Sequence, residues 1–314
     1  MFKVIAAKFF SRVRISILLF YSSLKWVFAN NKSQVIRTIG GLPQNSKPIR
    51  AILLWSENCD FPITDRNLVR WAAQDFAGDV VLIINCDCLE HLDEIMPAEF
   101  LLHTVIIRKN IGYDWGGYRD LFLISETSSR PFVTILNNSV IPLFPFSAFL
   151  AEQEETAVEI NGVVGAIESA NPTRHLQSFC LTFSNVALNS KVIDWVKSTK
   201  NVSEKWAMVY FREIQLWRIV ERNHISIRAI LTNSQVRSFA KNNFDLVGEY
   251  RDSATYKLIS KDLPSGSLNP THHLWRFLLA LGFPFIKKEL VRVNPAKLPD
   301  LSRAESLISK ASNV

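Results

Sequence analysis

The fold is decided by two linked stretches of sequence: RKNIGYDWGGYRD at residues 108–120 and PFVTILNNS at residues 131–139. In order, they indicate the end of a buried strand, a polar glycine-containing loop, a helix, a second buried strand and a polar turn. In an open α/β sheet, ligands bind outside the carboxyl ends of the strands. We therefore predict that both polar segments lie at one edge of a sheet and line a binding site.

Apolar runs of strand length alternate with helical stretches through the first half of the chain. The predicted strands are 49–55, 79–84, 103–107 and 132–136, and the predicted helices are 65–76, 90–100 and 115–125. This alternation predicts an α/β fold with a mostly parallel sheet and right-handed crossovers. Further strands are predicted at 162–168, 179–183 and 226–231, and a helix at 209–223. Residues 30–47 are interpreted as a linker or loop, and 232–267 show no clear pattern.

The composition bounds the class of protein and its partners. The chain has 314 residues, of which 48% are hydrophobic and 21% charged, as in globular proteins. The formal net charge of +7 favours an anionic partner such as a nucleotide-sugar, an acidic membrane surface or nucleic acid. Nucleic acid is not expected, because the sequence has no arginine-rich arm or zinc-finger spacing. The four cysteines form no CxxC pair and are expected to be reduced, which favours a cytoplasmic location.

Residues 1–31 carry apolar side chains at helical spacing, with most basic side chains off that face. They are predicted to form an amphipathic basic helix, which either contacts a membrane surface or packs on the domain that follows. The longest charge-free stretch, residues 15–24, is too short to span a bilayer. No small-residue cleavage site follows it, so a secretory signal is not expected.

The glycine-containing loop carries groups suited to a sugar or ribose. Tyr113 and Asp114 follow Gly112 at the predicted end of a strand, where a phenol and a carboxylate can bind hydroxyl groups and a ring. Asp114 could equally cap the helix that begins near Trp115. The turn at 137–139 could bind a ligand, or it could be an ordinary strand-ending turn, in which Asn and Ser are common.

Several motifs together resemble one known family. They are the loop with Arg108, Asn110, Gly112 and Asp114, LNNS at 136–139, HLQS at 175–178, NPTH at 269–272 and GFPFIKK at 282–288. In this order they resemble the rhamnan synthesis F family, bacterial proteins of cell-surface polysaccharide assembly, over about residues 50–295. The layout is also similar to glycosyltransferases of the GT-A fold.

The resemblance implies a GT-A-like, Rossmann-type domain over residues 48–295, with a mostly parallel central sheet flanked by helices. The amphipathic helix (1–31) would precede it and a tail (296–314) would follow. The implied activity is that of a glycosyltransferase at the inner face of a bacterial membrane. It would move a sugar, with rhamnose as first guess, from a nucleotide diphosphate to a lipid-linked or polysaccharide acceptor.

Three alternatives stay open. The donor could carry another sugar, such as galactofuranose, or the protein could be a non-catalytic glycan-binding or scaffold relative in polysaccharide assembly. A Rossmann-type reductase is a weaker alternative, because SENCD at 56–60 stands where G-x-G-x-x-G would follow the first strand.

The resemblance also implies roles for particular residues. Glu213, in REIQL at 212–216, is similar to the acidic residue that serves as base in inverting GT-A enzymes, and a base must reach the attacking hydroxyl. The implied donor-binding residues are Asp87, Arg108, Asn110, Gly112, Tyr113, Asp114, Asn137, Asn138 and Ser139. Those implied for the acceptor or the diphosphate are Arg174, His175, Gln177 and His272.

The expected metal motif is altered. GT-A enzymes usually carry Asp-x-Asp where this chain has Asn137, Asn138 and Ser139. Neutral amides and a hydroxyl bind Mg²⁺ or Mn²⁺ more weakly than carboxylates do. The sequence therefore predicts no metal, or a weakly held one, with cationic groups such as Arg108, Lys109, Arg174, His175 and His272 as candidates to bind the diphosphate.

Overall fold

The computed structural model describes residues 23–43, 46–57, 60–87, 96–251, 253–266, 268–299 and 301–313. Residues 23–28 are helical, but most of the amphipathic helix predicted over 1–31 lies outside the described residues, as does much of the helix predicted over 90–100. Within the described part of the chain, no helix is both long and apolar enough to cross a bilayer.

Eleven strands are described, and most of them form one sheet. They are β1 (Val35–Ile39), β2 (Ile49–Trp55), β3 (Asp79–Asn85), β4 (Thr104–Arg108), β5 (Phe132–Asn137), β6 (Val140–Pro142), β7 (Gly162–Ser169), β8 (His175–Leu176), β9 (Cys180–Ser184), β10 (Ser226–Leu231) and β11 (Phe285–Lys287). The sheet order is β1-β4-β3-β2-β5-β9-β7-β10, with β8 paired to β7. Strands β4, β3, β2 and β5 are parallel neighbours, and β9 and β1 add to them antiparallel. The carboxyl ends of four strands therefore meet at one edge.

Helices flank this sheet. The described α-helices are Ile63–Ala73, Tyr113–Ile124, Ser147–Glu159, Asn185–Leu188, Lys191–Lys197, Lys205–Met208, Ile214–Arg222, Asn233–Asn242, Ala254–Asp262, Pro270–His273, Trp275–Ala280, Lys288–Arg292 and Ser302–Ala311. A π-helix spans Val209–Glu213, and 3-10 helices span Ala98–Leu102 and Phe244–Tyr250.

Both faces of the sheet are covered by apolar cores. In β2, Ile52 and Leu54 pack into one core, whereas Ala51 and Leu53 pack into the other. This split follows from the alternation of side chains along a strand. It explains why the central strands read as continuous apolar runs, as expected for parallel strands buried on both faces.

The structure confirms the α/β class but changes parts of the sequence interpretation. The linker predicted over 30–47 is wrong in part, because β1 lies in it and pairs antiparallel with β4. The sheet thus starts upstream of residue 48, and the domain limits 48–295 stay a prediction. Residues 232–267, left unassigned, are largely helical. Cys86 is disulfide-bonded, so the expectation of four reduced cysteines is wrong at that position.

Candidate functional site

A buried cluster of charged side chains, Arg108, Arg119 and Asp120, holds the loop that follows β4 in place. The guanidinium of Arg108 donates to Asp120 Oδ2 at 2.7 Å, to Asn85 Oδ1 at 2.7 Å and to the carbonyl of Ile111 at 2.6 Å. Arg119 pairs with the other oxygen of Asp120. Arg108 is 0% exposed, so the residue predicted to contact donor lies beneath the surface and holds the loop in place.

Glycines give the loop its shape. Gly112 has φ +82°, in the left-handed region that favours glycine, and precedes the helix Tyr113–Ile124. A Cβ on Gly116 would lie 2.5 Å from the carbonyl oxygen of Ile111, so a side chain there would displace the loop. Tyr113 donates its hydroxyl to the carbonyl of Ser203 at 2.7 Å, which ties the loop to a segment far along the chain.

At the end of β5, Asn137 makes every hydrogen bond that its side-chain amide can make. Its Nδ2 donates to Asp114 Oδ2 at 2.8 Å and to the hydroxyl of Tyr118 at 2.9 Å. Its Oδ1 accepts from the backbone N–H and the hydroxyl of Ser139, at 3.0 and 2.6 Å. Asn137 thus links the helix that carries Asp114 to the turn that follows β5.

Asn138 faces the opposite way and binds structural partners. Its side chain exchanges hydrogen bonds with the backbone of Trp55 and donates to Asp65 Oδ2 at 2.7 Å. The other oxygen of Asp65 accepts from Lys288 Nζ at 2.6 Å. This buried arrangement holds the ends of β2 and β5 together, and Asn138 is 6% exposed.

A late segment of the chain completes the site. Strand β11 pairs antiparallel with β6, which directly follows the turn at 137–139, and the register sets Lys287 opposite Val140. Lys287 Nζ donates to Ser139 Oγ at 2.9 Å and lies 4.5 Å from the centre of the Phe179 ring. The ammonium group therefore stands where the turn would otherwise present its metal-binding side chains.

Glu213 belongs to the same group of polar side chains. Its Oε2 accepts from Ser178 Oγ at 2.9 Å, and its Oε1 lies 3.7 Å from His175 Nε2. The carbonyl of Ser178 accepts from the hydroxyl of Tyr118, at 2.9 Å. Because Tyr118 also accepts from Asn137, a continuous chain of contacts joins Glu213 to Asn137 and Asp114.

Charged side chains from distant segments interact at this site. Burial, with a smaller contribution from Glu213, raises the pKa of Asp114 to about 6, and Lys287 opposes this rise. Burial lowers the pKa of Lys287, while Glu213, Asp114 and Glu289 raise it. Carboxylates from three segments of the chain thus favour the charged form of one half-buried ammonium group.

His272 lies near Glu289, one of the carboxylates that act on Lys287. Its Nε2 is buried without a hydrogen-bond partner in the described part of the chain and lies 3.7 Å from Glu289 Oε2. Burial, and secondarily Lys287, lower the pKa of His272 to about 4, so its imidazole is neutral near pH 7. His272 can offer a hydrogen bond to a ligand, but not the positive charge anticipated from the sequence.

The remaining predicted residues, Asp87, Asn110, Gln177 and Arg174, have contacts of their own. Asp87 and Asn110 lie together beyond the ends of β3 and β4, where Asp87 Oδ1 accepts from the Asn110 N–H at 3.4 Å. Gln177 binds Asn269 and Thr271 and so supports the turn before His272. Arg174 pairs with Glu168, stacks on Trp217 and is more than half exposed.

The turn at 137–139 does not fit a divalent cation. The oxygen of Asn137 already accepts two hydrogen bonds, and the hydroxyl of Ser139 accepts from Lys287. An ammonium group beside this turn would repel a metal ion. Over the residues that the structure describes, no three His, Cys, Asp or Glu side chains are grouped to hold one.

Sequence reasoning missed Lys287, Tyr118 and Ser178. Tyr118 and Ser178 lie inside motifs that were recognised, but nothing in the motifs shows that their side chain and carbonyl join Asn137 to Glu213. Lys287 was seen only as part of an apolar, basic segment. Its position depends on a strand pairing that the sequence pattern does not reveal.

The fold and site define an α/β protein with a group of charged and polar side chains at the carboxyl edge of a mostly parallel set of central strands. The family model for rhamnan synthesis protein F matches residues 80–237, half of the chain. The chain therefore belongs to the rhamnan synthesis protein F family.

Two curated proteins are similar to this chain. The virulence protein VirA of Vibrio anguillarum is 27% identical over 208 residues, which are 62% of this chain and 64% of VirA. The uncharacterized protein y4gN of Sinorhizobium fredii is 30% identical over 173 residues, 54% of this chain and 39% of y4gN. The chain thus spans less than two thirds of the length of these relatives.

Two solved structures illustrate the similarity in fold. A mannosyltransferase from Pyrobaculum calidifontis, in complex with GDP-Man and Mn²⁺, has a TM-score of 0.41 and 10% identity, covering 96% of this chain and 90% of its own. Glucosyl-3-phosphoglycerate synthase from Mycobacterium tuberculosis has a TM-score of 0.38 and 10% identity, and the match covers 58% of this chain and 70% of the synthase. Neither likeness defines a ligand for this chain.

Proposed function

We propose that the protein is a glycosyltransferase that moves a sugar from a nucleotide diphosphate donor to a glycan acceptor. The observation that carries this proposal is the chain of contacts from Glu213 through Ser178, Tyr118 and Asn137 to Asp114. It joins a candidate base to polar groups at the carboxyl edge of the sheet, where α/β proteins bind ligands. Membership of the rhamnan synthesis protein F family supports the same function.

In the proposed reaction, Glu213 takes the proton of an acceptor hydroxyl while that oxygen attacks the anomeric carbon. The bond from the anomeric carbon to the diphosphate oxygen breaks, and the nucleoside diphosphate leaves. A single displacement of this kind inverts the configuration at that carbon. In this proposal Asp114 accepts from sugar hydroxyls, and Asp87 and Asn110 bind the nucleoside.

The test is transfer by purified protein with a panel of nucleotide-sugars, including activated rhamnose and galactofuranose, and an extract of lipid-linked glycans as acceptor. Glu213→Gln is expected to abolish transfer and to keep donor binding, because the amide cannot take a proton. Glu305→Gln, in an exposed position of the C-terminal helix, removes the same charge elsewhere and should transfer normally. Wild-type turnover by Glu213→Gln would remove Glu213 as the base.

The same assay separates the rival functions. Transfer from another nucleotide-sugar, but not from activated rhamnose, would keep the reaction class and replace the donor. Binding of a glycan without hydrolysis or transfer from any donor would indicate the non-catalytic relative. Rhamnose is our first choice because the family is named for rhamnan synthesis.

We also propose that the enzyme acts at the inner face of the cell membrane on a lipid-linked acceptor. The basic surplus of +7 and the amphipathic pattern of residues 1–31 support this location, because a basic amphipathic helix binds the headgroup region of anionic membranes.

A further inference from the structure

Lys287 occupies the position at which the altered metal motif needs a positive charge. Its Nζ contacts Ser139 Oγ at 2.9 Å, and Ser139 follows directly on Asn137, which binds Asp114. The pairing of β11 with β6 sets this position through the backbone, since Lys288 N–H donates to the Ser139 carbonyl at 2.9 Å. The ammonium group is thus fixed relative to the turn rather than held on a free loop.

The ammonium group also has hydrogen bonds to spare. An ammonium has three donors, and one of them is used by Ser139. Among the described residues, no carboxylate oxygen lies within the 4.0 Å that defines an ion pair with Lys287. Asp114 and Glu213 act on it only from farther away. As far as the described residues show, two donors are therefore left for a ligand.

Other cationic groups in the region are placed less well. Arg108 is buried beneath the loop, Lys288 is paired with Asp65, and Arg174 is paired with Glu168. Lys205 is 68% exposed and lies 3.7 Å from Glu289. Lys287 and Lys288 are both half-buried, but among the described residues Lys287 has no carboxylate at ion-pair distance. Partial burial strengthens the attraction of Lys287 for an anion, because less water screens the charge.

We propose that Lys287 is a catalytic residue that binds the donor diphosphate and neutralises the charge that develops on it as its bond to the sugar breaks. It would do what a carboxylate-held divalent cation does in metal-dependent enzymes of similar layout. This inference rests on the proposed function. No proton moves to or from Lys287, and the leaving group departs as the nucleoside diphosphate anion.

The experiment measures binding of UDP, dTDP and GDP, and of uridine, thymidine and guanosine, by titration calorimetry in EDTA. For the diphosphate that the wild type binds best, Lys287→Met should weaken binding about ten- to a hundredfold, as for the loss of a hydrogen bond to a charged group. Binding of the matching nucleoside should stay within about twofold, because the base and ribose do not touch Lys287. Lys287→Arg keeps the charge and should recover most of the lost affinity.

Lys241→Met is the matched control, because Lys241 is exposed on the helix Asn233–Asn242. It should bind the diphosphate as the wild type does. Equal diphosphate affinity in Lys287→Met and wild type would overturn the role of Lys287 and leave the proposed function intact. Failure of the wild type to bind any of the three diphosphates would overturn the proposed function itself.

A second measurement uses the wild type alone and so does not depend on the folding of a variant. Diphosphate affinity in EDTA and in millimolar MnCl₂ should agree within about twofold, because Lys287 supplies the cation. A gain of more than about tenfold with Mn²⁺ would show that a metal carries the diphosphate, and would overturn the inference.

Discussion

Burial of the charged form of Asp114 destabilises the folded protein, and nearby cations reduce this cost without removing it. The folded-state pKa of Asp114, about 6, lies above the ordinary value of 3.8, and burial is the main cause. Between these two values the folded protein holds a proton that the unfolded chain has lost. Stability therefore falls as pH rises from about 4 to about 6, and the cost is fully present above that window.

We expect Asp114→Asn to be more stable than wild type near neutral pH. The amide can still accept from Asn137, and the cost of burying the charge is gone. The gain in free energy of unfolding should be about 1 to 3 kcal/mol at about pH 7.5 and vanish at about pH 4. Denaturant unfolding at both pH values is the measurement.

The control is Asp245→Asn, which removes one charge from an exposed position. It should show little difference between the two pH values. A stability gain for Asp114→Asn that does not depend on pH would contradict the explanation by charge burial. If Asp114 binds the donor sugar as proposed, the more stable variant will also transfer poorly.

Replacing Arg108 is expected to lower the stability of the protein, whereas replacing Asp114 is expected to raise it. Arg108→Met should lower the free energy of unfolding by about 3 to 5 kcal/mol, because it leaves a buried carboxylate short of a partner. Asp120 would keep Arg119 and the N–H of Gln34 as its contacts. Thermal unfolding measures this loss.

The result also distinguishes two roles of Arg108. If it supports the loop from beneath, the folded fraction of the variant should bind nucleosides and nucleoside diphosphates with equal losses. A loss confined to the diphosphate, with unchanged stability, would restore the sequence-based idea that Arg108 contacts the donor.

At the scale of elements, β11 is short but firmly anchored. The ring of Phe285 lies 4.9 Å from that of Phe146 and 5.5 Å from that of Phe283, and Phe285 is 2% exposed. Alternation along the strand sends Phe285 and Lys287 to the same side, since residues two apart share a face. The packing of Phe285 among aromatic rings therefore fixes the position of Lys287 relative to Ser139.

Phe285→Ala should cost about 3 to 5 kcal/mol of stability, as for other buried aromatic side chains. It should also weaken diphosphate binding in the folded protein, because the strand that carries Lys287 loses its anchor. Phe144→Ala is the control, since Phe144 is 43% exposed and should change both quantities little. Wild-type diphosphate affinity in folded Phe285→Ala would show that β11 is positioned by its pairing with β6 alone.

Sequence patterns predicted the central strands, which bury apolar side chains on both faces, and also the partly exposed edge strand β10. The bounds of β2 and β10 match the prediction, and β3 and β5 run one residue further than expected. Strand β1 was missed because it is a half-exposed edge strand within a polar stretch. The helix predicted over 209–223 exists, but its first turns form a π-helix that ends at Glu213, and apolar spacing does not encode that register.

At the scale of the molecule, the candidate site was only half predictable. Asp114, Asn137 and Glu213 were each proposed from local motifs, and contacts through Tyr118 and Ser178 join them, while their roles stay predictions. Motifs do not specify which polar atoms are already bonded within the protein. That information separated Arg108 and Asn138, which support the fold, from Lys287, which we propose to bind the diphosphate.

The net charge of +7 yields a prediction for the whole chain. We expect the protein to sediment with vesicles of phosphatidylglycerol and not with vesicles of phosphatidylcholine, and to be released by salt, because charge attraction is screened. A chain lacking residues 1–22 should bind these vesicles more weakly. Equal binding by both chains would assign the attraction to the folded domain.

Ser139 and Lys287 are separated by 148 positions in the chain. A ribosome therefore releases the sheet, the glycine-containing loop and Glu213 well before the strand that supplies Lys287. A nascent chain, or one cut short before Phe285, would have these elements without the ammonium group. If Lys287 acts as proposed, the chain binds the donor diphosphate weakly during its own synthesis and gains full affinity only when β11 is in place.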